Sequence, residues 1–156
     1  FLKGYKTEGN ISSQDIAEAI PKSLQDNIFD MTQLLIRGQI QSVRELVHDL
    51  RLQGEDEIKL IAIMLGQFRL YTQVKILQES GQTESQMVSG LGHYLGRNPN
   101  PYQIKFALRD TRGLSLNFLQ DSIRYLIQAD YQIKTGVYEK GYLFEKALLQ
   151  IASQSN

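Results

Sequence analysis

Residues 55 to 80 constrain this chain more than any other stretch, because they read as one unbroken helix with no face obviously meant for water. Asp56 and the acids beside it, Glu55 and Glu57, suit the positive end of a helix dipole, and Gly81 supplies a stop. Between them Ile58, Leu60, Ile61, Ile63, Met64 and Leu65 are apolar nearly all the way round. A helix of that kind is stable only when several others surround it. Ala62 and Gly66, four apart and flanked by Lys59, Arg69 and Gln73, mark the place where a close helix crossing is expected. A glycine inside a helix costs about 1 kcal/mol relative to alanine, and a close approach would compensate.

The rest of the sequence agrees with an all-α chain. Leucine occurs 21 times, glutamine 17 and valine only 5, and no proline lies between Pro21 and Pro99. Start and stop signals give a compact bundle of about seven helices, one of them long and central, preceded by a short helical segment. Ser12 with Asp15 opens that first segment, which Pro21 ends, and Ser23 with Asp26 caps the next, which Gly38 closes. A third runs from about Gln41 to Gln53, and Thr83 with Gln86 caps a short one ending near Gly90. Pro101 starts a helix that Gly113 ends, Ser115 starts one lasting to Gly136, and the last covers about Tyr138 to Ser153. Gly90-Leu91-Gly92 with Gly96 is expected to be a loop, since no strand precedes it to make a dinucleotide fold.

Several kinds of chemistry are excluded outright. There is no cysteine, so no disulfide, thiolate metal site or cysteine nucleophile, and two histidines 45 positions apart (His48 and His93) make no metal centre. No phosphate-binding glycine loop, H-E-x-x-H or G-x-S-x-G occurs. No apolar run reads as long as the roughly 20 residues of a membrane span. Lysine plus arginine total 17 against 17 acids, which argues against a general grip on phosphates. Residues 91 to 113 nevertheless hold Arg97, Lys105, Arg109 and Arg112 against Asp110 alone. A helix-turn-helix DNA-binding domain built on these four is the alternative reading, and burial of Tyr102 and Phe106 would count against it.

On the helix from Ser115, the apolar positions Leu116, Leu119, Ile123, Leu126 and Ile133 leave Asp130 in a gap of the same stripe. A carboxylate there needs a partner. Lys134 one turn on and Arg69 of the central helix are both available, and Gln67 beside Arg69 is a further candidate for the same polar anchor.

Taken in order, several segments resemble the C-terminal part of the delta subunit of the bacterial DNA polymerase III clamp loader. They are Gly9-Asn10-Ile11-Ser12-Ser13-Gln14-Asp15-Ile16, then Ser23-Leu24-Gln25-Asp26-Asn27-Ile28-Phe29-Asp30 with Arg37-Gly38. Gln67-Phe68-Arg69-Leu70 with Val74-Lys75, Pro101-Tyr102-Gln103-Ile104-Lys105 and Asp130-Tyr131-Gln132-Ile133-Lys134-Thr135-Gly136 follow at familiar distances. The stretch 92–100 is longer than the usual link before Pro-Tyr. The resemblance implies a tail of a helical lid domain at 1–22 and a helical collar domain at 23–156. It implies a non-catalytic, cytoplasmic subunit without cofactor, upstream domains of AAA+-like architecture, and a clamp-opening element in a first domain that this chain lacks. The expected partners are the other loader subunits through the collar, the sliding clamp through the absent domain, and primer–template DNA, with no membrane. For the DNA contact, Tyr131 would offer an aromatic face and Lys134 and Arg124 positive charge.

Overall fold

A computed structural model describes residues 21–95 and 101–154, so the expected helix after Ser12 and the segment 1–20 lie outside the described residues. Among the described residues there are seven helices and no strand. They are α1 (Lys22–Ile36), α2 (Ile40–Leu52), α3 (Glu57–Glu79), α4 (Glu84–Leu95), α5 (Pro101–Thr111), α6 (Leu116–Lys134) and α7 (Lys140–Ser153). Helix α3 packs against α1, α4, α5, α6 and α7, which is why it is apolar on so many sides. Leu60, Ile61, Met64, Phe68, Tyr71 and Val74 of α3 are almost wholly buried. Each such side chain contributes about 1.5–3 kcal/mol of burial. By length and composition α3 could cross a membrane, contrary to the expectation from the sequence, but these contacts make it the core helix of the bundle.

Local signals explain most of the helix ends. Asp56 caps α3, its Oδ2 accepting from the amides of Ile58 and Lys59 at 3.1 and 3.3 Å. Thr83 and Gln86 form the expected reciprocal box: the Thr83 amide donates to Gln86 Oε1 at 2.8 Å and the Gln86 amide to Thr83 Oγ1 at 3.2 Å. Ser115 accepts from the Phe118 amide at 3.0 Å. At Gly136 the chain turns with φ +71°, a conformation that favours glycine, and this reverses the path from α6 into α7.

Three local expectations are corrected. Ser23 does not cap α1: the helix starts two residues earlier than such a cap would place it, Pro21 is its N-cap, and the Pro21 carbonyl accepts from the amides of Leu24 and Gln25. Gly90 and Gly92 lie within α4 rather than in a loop, because Leu91 between them is 2 % exposed and its burial outweighs the glycine cost. At Gly66 there is no close helix crossing: the position is exposed, and an added Cβ would meet nothing within 4 Å.

Candidate interaction surface

Helix α6 buries Phe118, Leu119, Ser122, Leu126, Ala129 and Ile133. Its stripe is therefore rotated from the expected one, since Ile123 is only half-buried while Phe118, Ser122 and Ala129 turn inward. The rotation moves Asp130 to the edge of the stripe, where it needs no deep anchor. Its Oδ2 is 2.9 Å from Lys134 Nζ, so Lys134 is its partner. Arg69 is exposed on α3 and forms no ion pair with Asp130. Gln67 serves a different junction, its amide taking a hydrogen bond from the hydroxyl of Thr32, which is fully buried on α1.

The opposite face of α6 carries Arg124, Ile127, Tyr131 and Lys134 at spacings of three, four and three, all exposed. Tyr131 is 66 % exposed and so does not pack on the helix end at Gly136. Both cations are already answered on their own helix. Arg124 Nη2 lies 3.1 Å from Asp121 Oδ1 and its guanidinium sits 5.4 Å from the Tyr125 ring centroid, while Lys134 holds Asp130. The face is aromatic and polar but carries no surplus charge.

The turn after α6 extends this character. Val137, Tyr138 and Tyr142 are half or more exposed, and the two tyrosine rings meet edge to face at 5.9 Å. A shallow groove on α7 continues from Tyr142 past Tyr125 and Leu149, with Arg44 of α2 at its rim. The turn is tied to the start of α3. Lys140 reaches Asp56 at 3.5 Å, and Arg51 reaches Glu57 at 3.4 Å and Glu139 at 3.9 Å. Glu139 in turn accepts from the Gly141 amide at 3.1 Å, capping α7. The tyrosines thus stand on a fixed corner. Sequence reasoning found Tyr131 and missed Tyr125, Tyr138 and Tyr142. The available signal was local enrichment, four of the chain's eight tyrosines falling between 125 and 142.

Nothing in the described residues assembles reaction chemistry. No group of three or more His, Asp or Glu side chains there is placed to hold a metal ion. Tyr71 is the one described group whose acidity is clearly displaced. Burial and then the negative Asp110 push its hydroxyl above the ordinary tyrosine range, with Arg109 pulling weakly the other way. The hydroxyl donates to Asp110 Oδ2 at 3.2 Å, and Arg109 Nε donates to Asp110 Oδ1 at 3.1 Å. This is a part-buried clasp between α3 and α5, with Tyr71 and Asp110 turned inward and Arg109 closing it from the solvent side.

The burial that would count against the helix-turn-helix alternative is incomplete among the described residues. Phe106 is 37 % exposed, but its ring is held edge-on by Phe29 at 5.8 Å and covered by the Arg109 guanidinium at 4.8 Å. Tyr102 and Arg97 have side chains outside those described.

Comparisons with known proteins point elsewhere. The family profile for the C-terminal domain of the DNA polymerase III delta subunit matches residues 25–151. The DNA polymerase III subunit delta of Bacillus subtilis (strain 168) is 30 % identical over 145 residues, covering 93 % of this chain and 40 % of that protein. Among solved structures, the Bacillus subtilis DNA clamp loader delta protein superposes with a TM-score of 0.74 at 29 % identity, over 94 % of this chain and 42 % of that one. The chain spans well under half the length of either relative.

Proposed function

Since the chain belongs to the family formed by the C-terminal domains of DNA polymerase III delta subunits, we propose that it is the assembly domain that joins such a subunit to the others of a clamp loader. The observation that carries this reading is the fixed tyrosine corner of α6 and α7. Aromatic residues are enriched at protein interfaces because they bury much area while losing few rotamers. Cations that already hold partners on their own helix add specificity at such a contact without leaving an unpaired buried charge. The domain works by burial, not by catalysis: it closes a helical collar with different subunits, and upstream domains carry the contact with the sliding clamp. A cytoplasmic location follows from a place in bacterial replication.

The test is assembly. Tyr138→Ser with Tyr142→Ser, introduced into the full-length subunit, should weaken its complex with the other loader subunits in analytical ultracentrifugation. Hot-spot tyrosines contribute about 2 kcal/mol or more, so roughly thirtyfold is expected from one of them alone. An unchanged sedimentation profile would refute the surface, and failure of the unsubstituted subunit to join any loader subunit would refute the function.

A second reading, a primer–template contact by Tyr131 with Lys134 and Arg124, is favoured by the free ring of Tyr131. It is opposed by the pairing of both cations with Asp130 and Asp121. Tyr131→Ala should leave assembly intact and reduce DNA-dependent loading if that contact exists. Unchanged loading disposes of it.

A further inference from the structure

The basic excess after Gly90 remains outside the assembly surface, and the fold concentrates it. Lys105 and Arg109 lie four apart on α5, and Arg112 follows in the turn after it, all three exposed. Positions 105 and 109 fall on one side of α5 about 6 Å apart along its axis, and Arg112 follows just beyond its end. On the same end, the Lys75 ammonium of α3 donates to the Thr111 carbonyl at 3.2 Å, bringing a fourth positive charge to the C-terminus of α5. That bond also weakens the ordinary explanation of basic residues at a helix end. One of the terminal carbonyls already has its cation, and Lys105 stands two turns from the end, beyond the reach of the dipole.

The one acid among them is withdrawn from solvent. Asp110 is 5 % exposed at its side chain and is held by both Tyr71 and Arg109. Four cations against one buried carboxylate leave a net excess of three. Asp26 and Asp30 flank Phe29 on α1, which touches Phe106, but neither forms an ion pair with Lys105 or Arg109 among the described residues. Arg109 is also pre-oriented, its guanidinium stacked at 4.8 Å on Phe106 with Nε committed to Asp110. Its terminal nitrogens have no partner among the described residues. A stacked arginine with free terminal donors is suited to phosphate oxygens.

We propose that Lys105, Arg109 and Arg112 form a phosphate-backbone contact for duplex DNA, separate from the tyrosine corner and independent of whether that corner binds other subunits. Duplex is favoured over single strand because, among the described residues, the strip offers no free aromatic platform. Phe106 has one face under Arg109 and meets Phe29 edge to face, so its ring is already engaged on two sides. Duplex phosphates need only charge in line. Ile104 and Ala107 are buried away from the strip, and the contact rests on charge to phosphates rather than on base edges.

The experiment uses the full-length subunit and a fluorescein-labelled duplex of random sequence, with anisotropy measured from 50 to 200 mM salt. Lys105→Gln and Arg112→Gln are combined, because both side chains are exposed and neither takes part in the Asp110 clasp; thermal unfolding checks that the fold is kept. Each phosphate contact contributes about 0.9 to the slope of log affinity against log salt, so the double variant should lose about 1.8 of slope. Three intact contacts correspond to roughly a fortyfold loss of affinity over that salt range. An unchanged slope overturns the proposal. So does binding of labelled oligo-glutamate that the double variant abolishes while duplex binding stays the same, since the strip would then serve an acidic protein segment.

Discussion

Tyr71→Phe isolates the clasp between the central helix and α5. The ring is 1 % exposed and phenylalanine fills the same volume, so the substitution removes one hydroxyl and opens almost no cavity. What is lost is a 3.2 Å hydrogen bond to a carboxylate whose side chain is 5 % exposed. Hydrogen bonds to charged groups contribute about 1.5–3 kcal/mol, and Asp110 keeps Arg109 at its other oxygen, so about 2 kcal/mol is expected. For a chain of this size that corresponds to a fall in Tm of about 6 °C at pH 7.

The same bond makes the loss depend on pH in a calculable direction. In the folded chain the Tyr71 hydroxyl titrates above its ordinary range, chiefly because it is buried. In the unfolded chain it titrates near pH 10. Above pH 10 the unfolded state therefore gives up a proton that the folded state keeps, and stability falls by about 1.4 kcal/mol per pH unit from this residue alone. Phenylalanine has no such proton. The gap of about 2 kcal/mol at pH 7 should therefore shrink to about 0.6 kcal/mol at pH 11, every other tyrosine being common to both proteins. Urea unfolding followed by circular dichroism at pH 7, 10 and 11 measures it. A gap that stays constant across that range would show that Tyr71 is not protected in the way its surroundings require.

Two further outcomes concern stability. Asp56→Ala removes the cap of α3 and its 3.5 Å contact with Lys140. It should cost about 1 kcal/mol in urea unfolding, most of it from the cap, so Lys140→Ala should cost much less. Gly66→Ala should raise the stability of the free chain by about 0.5–1 kcal/mol, because the position is helical and open. A fall in urea midpoint there would reveal a neighbour within the chain.

What the sequence made legible follows from the range of the forces involved. Helix ends set by bonds across three residues, as at Asp56, Thr83 and Ser115, are written locally and the structure keeps them. Ser23 had the right residues for a box, but α1 starts two residues earlier, with Pro21 at the cap position and no side-chain cap. The long apolar helix announced its central position without revealing which neighbours surround it. Gly66 could not be interpreted from the sequence, since a glycine looks the same at a close crossing and on an open face. The turn of α6 was misjudged for a similar reason: Ser122 and Ala129 are small enough to be buried without adding to an apolar stripe, and counting large residues placed Asp130 too deep. The tyrosine corner needed the third dimension, because Tyr125 of α6 shares a groove with Tyr142 and Leu149 only when α7 folds back on α6.

The equality of 17 cations and 17 acids conceals two different surfaces. Along α6, Asp121 stands three residues before Arg124 and Asp130 four before Lys134, so each cation is neutralised within its own turn. Around α5 the spacing fails. No acid lies three or four positions from Lys105, Arg109 or Arg112, and Asp110, adjacent to Arg109, is drawn inward by Tyr71. A face whose charges are answered in place can be covered by another protein without stranding them. A face whose charges are unanswered attracts a polyanion from a distance and loses it in salt. Helical spacing, rather than net charge, therefore assigns the tyrosine corner to subunits and α5 to phosphate. Exchanging the spacing tests the assignment: Phe106→Asp places an acid three residues before Arg109, and should weaken duplex binding and lower its salt slope by about 0.9 while leaving subunit assembly unchanged, with thermal unfolding checking that loss of the Phe29 contact leaves the fold intact.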